Sequence, residues 1–101
     1  NMAINQLKVV LSLLKEFSEG NIPSFADYDI DKHTFDNIID AMQDDMLIKG
    51  ARFSRGQGNR ILVSVLDNVT ITIKGMQYLN ENSLAMKTYK GLKEIRDWLP
   101  F

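Results

Sequence analysis

Three arginines, Arg52, Arg55 and Arg60, crowd around the segment Gly56-Gln57-Gly58-Asn59, with Lys49 shortly before them. A guanidinium group is planar and permanently charged, and its paired N–H donors match the oxygens of a phosphate. A cluster of this kind suits contact with a polyanion, giving affinity without sequence preference. The plainer reading is that charges on an exposed hairpin keep its strands from pairing with other chains. Spacing alone leaves both open.

A second constellation lies between Asp31 and Asp45, a stretch with one lysine and five aspartates. At helical spacing Asp36, Asp40 and Asp44 form one ridge, and Lys32, His33, Asn37 and Gln43 are the residues able to face bases, with Asn37 and Gln43 the amides that could do so. The ridge would be repelled by DNA unless the helix register hides it, and it suits a basic protein partner. His33 with Asp36, Asn37 and Asp40 also has the spacing of a weak divalent-metal site. A solvated helix face accounts for the same residues, and no metal or cofactor is expected.

Catalytic chemistry finds little to work with. The chain has one histidine and no cysteine. Gly56-Gln57-Gly58 is too short for a dinucleotide fingerprint, and no serine stands in a nucleophile-elbow context. A binding protein is expected, not an enzyme. The absence of cysteine excludes disulfides and thiolate metal sites and fits a reducing cytoplasm. No apolar run reaches the length of a membrane span.

The elements that must hold these residues follow from periodicity. Ile4, Leu7, Leu11 and Leu14, with Val10 and Phe17, mark one face of a helix over 4–19, which Gly20-Asn21 ends before Pro23. Ser24 caps a short turn. Asp31 then caps a second long helix, with Phe35, Ile38, Ile39, Met42 and Met46 on its apolar face. The period next becomes alternating, predicting a strand over 47–54, a hairpin tip over 55–60 and a strand over 61–66. Asp67-Asn68 makes a turn. Thr72 caps a third helix to about Asn82, with Ile71 and Met76 as a hydrophobic staple. A last helix is expected from Leu84 to Leu99, with Lys90–Glu94 and Lys93–Asp97 as i,i+4 pairs and Pro100 as its stop. Trp98, Leu99 and Phe101 are too apolar to leave in water. They dock on the first helix or pair with another subunit, so Trp98 and Phe101 are candidate homodimer contacts.

Two helices at a turn followed by a basic hairpin describe an α+β domain of winged-helix type, in which the hairpin is the wing and the 31–45 helix the probe. At 101 residues, 45% of them hydrophobic, the chain fits one domain. Asn1 ahead of Met2 reads as a tag remnant. Net charge is −1, but residues 1–48 carry −6 and residues 49–101 carry +5. That asymmetry suits a polyanionic or acidic partner, or two faces attracting each other.

The stretch Thr72-Ile73-Lys74-Gly75-Met76-Gln77-Tyr78-Leu79 resembles the Thr-x-x-Gly-x-x-Tyr-Leu pattern that follows the wing in many bacterial winged-helix proteins. With Thr88-Tyr89-Lys90-Gly91-Leu92-Lys93-Glu94-Ile95-Arg96-Asp97-Trp98-Leu99 it resembles the YjcQ family, small proteins of Gram-positive bacteria and their prophages. Leu14-Lys15-Glu16, Gly20-Asn21-Ile22-Pro23 and Phe35 fit the same pattern. The resemblance implies a winged helix and a bacterial or prophage setting, and it carries little about function. The leading expectation is a DNA-binding or regulatory protein whose basic wing, Lys49, Arg52, Arg55 and Arg60, meets phosphates of double-stranded DNA. The alternative is a protein-interaction module using the acidic face of the probe helix.

Overall fold

The computed structural model describes residues 2–99, with side chains from residue 6 onward. Helix α1, Met2–Ser18, is the central element. Val9, Leu11, Leu13, Leu14 and Phe17 are all buried, as are the polar Ser12 and Glu16. A single apolar stripe was expected, yet Leu7 from that stripe is exposed while Val9 and Leu13 are enclosed. The reason is that α1 is covered on several sides, by the second helix, the third helix and a short strand. Ile4 lies outside the described side chains. Gly20, at φ +82°, ends the helix, and the Asn21 amide turns back to the Glu16 carbonyl at 2.9 Å.

A short turn of 3-10 helix, Phe25–Tyr28, follows, its start held by the Ser24 amide donating to the Asp27 carboxylate at 2.8 Å. Helix α2, Lys32–Asp44, begins as expected at Asp31, whose carboxylate accepts the Thr34 amide at 2.7 Å. That bond holds the Asp31 carboxyl below its usual range. Phe35, Ile38, Ile39 and Met42 are buried against the core. Met46 is not part of this face. The helix stops short of it, and Met46 turns left-handed at φ 60° and is exposed, while the Leu47 amide closes the end on the Met42 carbonyl.

The expected strand over 47–54 is two strands in two different sheets. Strand β1, Ile48–Lys49, pairs antiparallel with β4, Thr70–Ile71, whereas β2, Arg52–Arg55, pairs antiparallel with β3, Ile61–Val65. The break falls at Gly50, at φ +90°, where a Cβ would sit 2.2 Å from the Asn68 carbonyl oxygen. No side chain fits there, so the chain can swivel between sheets at this point. Between β2 and β3 lies one 3-10 turn, Gln57–Asn59, with Gly58 and Asn59 at positive φ and a register irregularity at Ser54/Arg55.

Helix α3, Ile73–Glu81, gives the Thr-x-x-Gly-x-x-Tyr-Leu pattern a physical meaning. Thr72 caps it, accepting the Gly75 amide at 3.0 Å while its hydroxyl donates to the Met46 carbonyl. A Cβ on Gly75 would stand 2.2 Å from the Leu47 carbonyl oxygen, so only glycine lets α3 approach β1 this closely. Tyr78 and Leu79 then pack on the core. Met76, placed in a staple with Ile71, is exposed instead.

The expected helix from Leu84 to Leu99 is broken. Helix α4, Ser83–Met86, ends in an irregular stretch reaching Gly91 at φ +100°, after which a 3-10 turn, Leu92–Glu94, leads into α5, Ile95–Trp98. The gain from breaking it is docking. Tyr89 and Trp98 meet edge to face at 4.8 Å, and Ile95, Trp98 and Leu99 are buried. The i,i+4 pairs Lys90–Glu94 and Lys93–Asp97 do not form, because their residues no longer share a regular helix. Pro100 lies outside the described residues.

The segment is fastened to α1 by a chain of hydroxyls. The Tyr89 hydroxyl donates to Glu16 at 2.6 Å, so its oxygen is left to accept from Ser12 at 2.7 Å, and Ser12 in turn accepts from Tyr28 at 2.9 Å. Burial pushes both tyrosines well above their ordinary ionisation range, and the bond to Glu16 adds to this at Tyr89. The result is an α+β arrangement with two small antiparallel sheets, β1–β4 packed on the core and β2–β3 forming the hairpin.

Candidate nucleic-acid interface

Helix α2 meets the β2–β3 hairpin and the residues leading into it through a row of polar contacts. Lys32, Asp36, Asp40 and Gln43 recur at about one-turn spacing and all face the same way. The Lys32 ammonium donates to Asp36 at 2.5 Å and to the Leu62 carbonyl at 2.8 Å. Asp36 is buried, and its second oxygen accepts the Ser64 hydroxyl at 2.8 Å. Asp40 accepts from the Arg55 guanidinium at 3.0 Å. Gln43 clamps one residue from both sides, its amide donating to the Ala51 carbonyl at 2.9 Å and its oxygen accepting the Ala51 amide at 2.8 Å.

This seam changes the expected roles of several residues. The ridge Asp36–Asp40–Asp44 does not project as a unit. Asp36 is inside, Asp40 is half covered by Arg55, and only Asp44, with Asp45, is fully exposed. Gln43 cannot face a base, since both ends of its amide are spent on Ala51. The carboxylate of Asp36 is turned to the hairpin, so it does not join His33 in a metal-binding group, and among the described residues no cluster of three potential ligands gathers. His33 and Asn37 remain on the outer face of α2, both exposed and joined to each other at 3.1 Å.

The cations of the hairpin, and Lys49 on β1 before it, divide into bound and available. Arg55 is held on three sides: by Asp40, by the Asn59 carbonyl, which accepts its second nitrogen at 3.1 Å, and by the Phe53 ring at 5.2 Å. Arg52 lies 3.4 Å from Asp67 with both side chains about two-thirds exposed, a pair that water and salt largely screen. Arg60 and Lys49 are exposed, and neither has an acidic partner among the described residues. Arg60 borders a shallow groove with Lys32 and His33, between the first turn of α2 and the start of β3. Cationic groups from two elements therefore converge where α2 begins.

Trp98 does not face outward. Its indole donates to the Ala85 carbonyl at 3.2 Å, and Lys8 lies over its ring while donating to its carbonyl at 2.8 Å. The ring that was a candidate homodimer contact docks on its own domain. Phe101 lies outside the described residues. A separate apolar cleft of about 540 Å³ opens between α1, the far end of α2 and α3, lined by Leu7, Val10, Ile38, Met42 and Tyr78.

Three partners in the seam were not anticipated: Ser64 and the backbones of Leu62 and Ala51. A lone hydroxyl within the apolar run Ile61-Leu62-Val63-Ser64-Val65-Leu66 was the available signal for Ser64. For the two backbones there was none, because a contact on a backbone group leaves no trace in residue type. Among the described residues no helix is long and apolar enough to cross a membrane.

Comparison with known proteins gives one consistent result. The family described as YjcQ protein matches residues 7–98. A Bacillus subtilis (strain 168) relative, named uncharacterized protein YjcQ, is 32% identical over 97 residues, spanning 95% of this chain and 99% of its own length. No solved structure gives a significant match. Sequence identity, coverage and the motif now explained by α3 agree: the chain belongs to the YjcQ family.

Proposed function

We propose that the protein is a winged-helix DNA-binding or regulatory protein, with the β2–β3 hairpin as wing and the outer face of α2 as probe. The observation that carries this reading is the orientation of the acidic ridge. Asp36 is consumed by Lys32 and Ser64, and Asp40 by Arg55, so the main electrostatic objection to a duplex beside α2 is removed. On the outer face near the helix start stand His33 and Asn37, both exposed and able to hydrogen-bond. Helices of this class read bases with their N-terminal residues. Asp44 and Asp45 are exposed at the other end, while the exposed Asp31 carboxylate at the start is engaged by the Thr34 amide as the helix cap. Arg60 and Arg52 supply phosphate contacts from the wing, and Lys49, expected as a wing residue, supplies one from β1, which pairs with β4 and not with the hairpin. The alternative reading, a protein-contact module using the acidic face, is weakened because two of its three carboxylates are already engaged.

The test is fluorescence anisotropy of a labelled duplex across a series of salt concentrations. Affinity is expected to fall linearly on log–log axes, with each phosphate contact adding about −0.9 to the slope. The double variant Arg52→Ala/Arg60→Ala should flatten the slope by about 2 and weaken all sequences alike. If the parent does not bind a duplex even at low salt, the reading is wrong and the protein-contact alternative takes its place.

A further inference from the structure

We infer that Asp40 is a built-in brake on the wing: it occupies Arg55 in the free protein and surrenders it to a phosphate when DNA binds. The inference rests on the DNA-binding reading and adds a regulatory contact to the same site. Its basis is a contrast within one helix face. Asp36 and Asp40 are one turn apart, but the Asp36 side chain is 5% exposed and satisfied by two donors, whereas the Asp40 and Arg55 side chains are 28% and 30% exposed. The Asp36 carboxylate is closed to solvent, so it stays fixed between its two donors even though its Lys32 partner is half exposed. The Asp40–Arg55 contact opens to solvent, where a phosphate oxygen can reach the guanidinium fork.

Arg55 is also prepared for a change of partner. The Asn59 carbonyl and the Phe53 ring hold the guanidinium independently of Asp40, so leaving the carboxylate does not set the side chain adrift. A carboxylate and a phosphodiester each carry one negative charge. Exchange of one for the other therefore adds little net attraction, and the released Asp40 is left beside the phosphate backbone. In the parent protein Arg55 should contribute little to affinity. With Asp40 neutral, the same arginine becomes a full phosphate contact.

A double-mutant cycle tests this, using the full chain and a short mixed-sequence duplex in the anisotropy assay. Asp40→Asn is expected to tighten binding about tenfold and steepen the salt slope by about 1. Arg55→Ala should change the parent little, and Asp40→Asn/Arg55→Ala should lose the gain. Asp40→Ser serves as a second neutral variant, and thermal melts verify folding of each protein. A gain that persists without Arg55 means Asp40 merely repels DNA, and overturns the brake. So does an Arg55→Ala loss of equal size in the parent and in Asp40→Asn. Those outcomes leave the DNA-binding reading intact. Failure of the parent and of every variant to bind at low salt would instead remove that reading and the brake with it.

Discussion

Two helices of this protein each carry a buried carboxylate, and the two are satisfied in opposite ways. Among the described residues no cation pairs with Glu16 on α1. Glu16 accepts from the Tyr89 hydroxyl and from the Asn21 side-chain amide at 2.9 Å, all donors neutral. Asp36 on α2 is paired with a lysine and a serine, and the next carboxylate along, Asp40, with an arginine. The α1 seam is roofed by Tyr28, Tyr89 and Trp98 and fastens the C-terminal segment to the core. The α2 seam is rimmed by solvent and fastens a hairpin that extends outward. The two seams divide the labour. A seam of largely buried hydroxyls is rigid because breaking it strands buried polar groups, while an ionic seam at the edge can trade one partner for another.

The largest effect should come from breaking the α1 seam. Glu16→Ala takes the acceptor from Tyr89 and Asn21 and leaves a void under the C-terminal segment, with an expected loss of about 2–3 kcal/mol in stability. Urea unfolding read by Trp98 fluorescence measures it, and a loss under about 1 kcal/mol would place Glu16 outside the structural core of the seam.

Alkaline pH attacks the same seam by another route. The tyrosine ionisations are raised by burial, so the unfolded chain loses those protons first and stability is lost as pH rises above about 10. Tyr28 alone should remove about 1.4 kcal/mol per pH unit there, and Tyr89, half open to solvent, should add less. A Tyr28→Phe variant should flatten that alkaline limb, and an unchanged limb would contradict the assignment.

The ionic seam should be cheaper to cut. Asp36→Ala breaks a buried pair, but its partner Lys32 is half exposed and can return its charge to water. The expected cost is about 1–2 kcal/mol, below the 3–5 kcal/mol typical when a buried charge is abandoned. Amide exchange should quicken across residues 52–65 and stay slow around Tyr89. Smallest of all, Arg60→Ala should shift stability by under about 0.5 kcal/mol, since the side chain is exposed and unpaired among the described residues.

How far the sequence disclosed these seams depended on whether a local rule governed them. Helix starts at Asp31 and Thr72 were legible because a cap is a short-range hydrogen bond with a fixed residue preference. The hairpin was legible from its glycines and alternation. The two sheets were not, because the swivel at Gly50 is imposed by the Asn68 carbonyl, remote in the chain. The long C-terminal helix failed for a related reason: Tyr89, Leu92, Ile95 and Trp98 have helical spacing, yet a straight helix would not serve the docking of Tyr89 and Trp98 onto α1. At the candidate site, residue types identified the hairpin cations. Periodicity also gathered Asp36 and Asp40 correctly onto one face of α2. It could not say that this face looks at the hairpin and not at solvent, since that is decided by how α2 rolls to bury Phe35, Ile38, Ile39 and Met42.

The proposed DNA-binding surface joins the wing to the outer face of α2 and leaves the C-terminal seam apart. Titration of isotope-labelled protein with a short duplex at low salt, followed through backbone amide and indole resonances, maps that surface residue by residue. The largest shifts are expected at residues 32–37 and 49–60, with the Trp98 indole and the Tyr89 amide unmoved. Shifts centred on the C-terminal segment, or none at any residue, would contradict it.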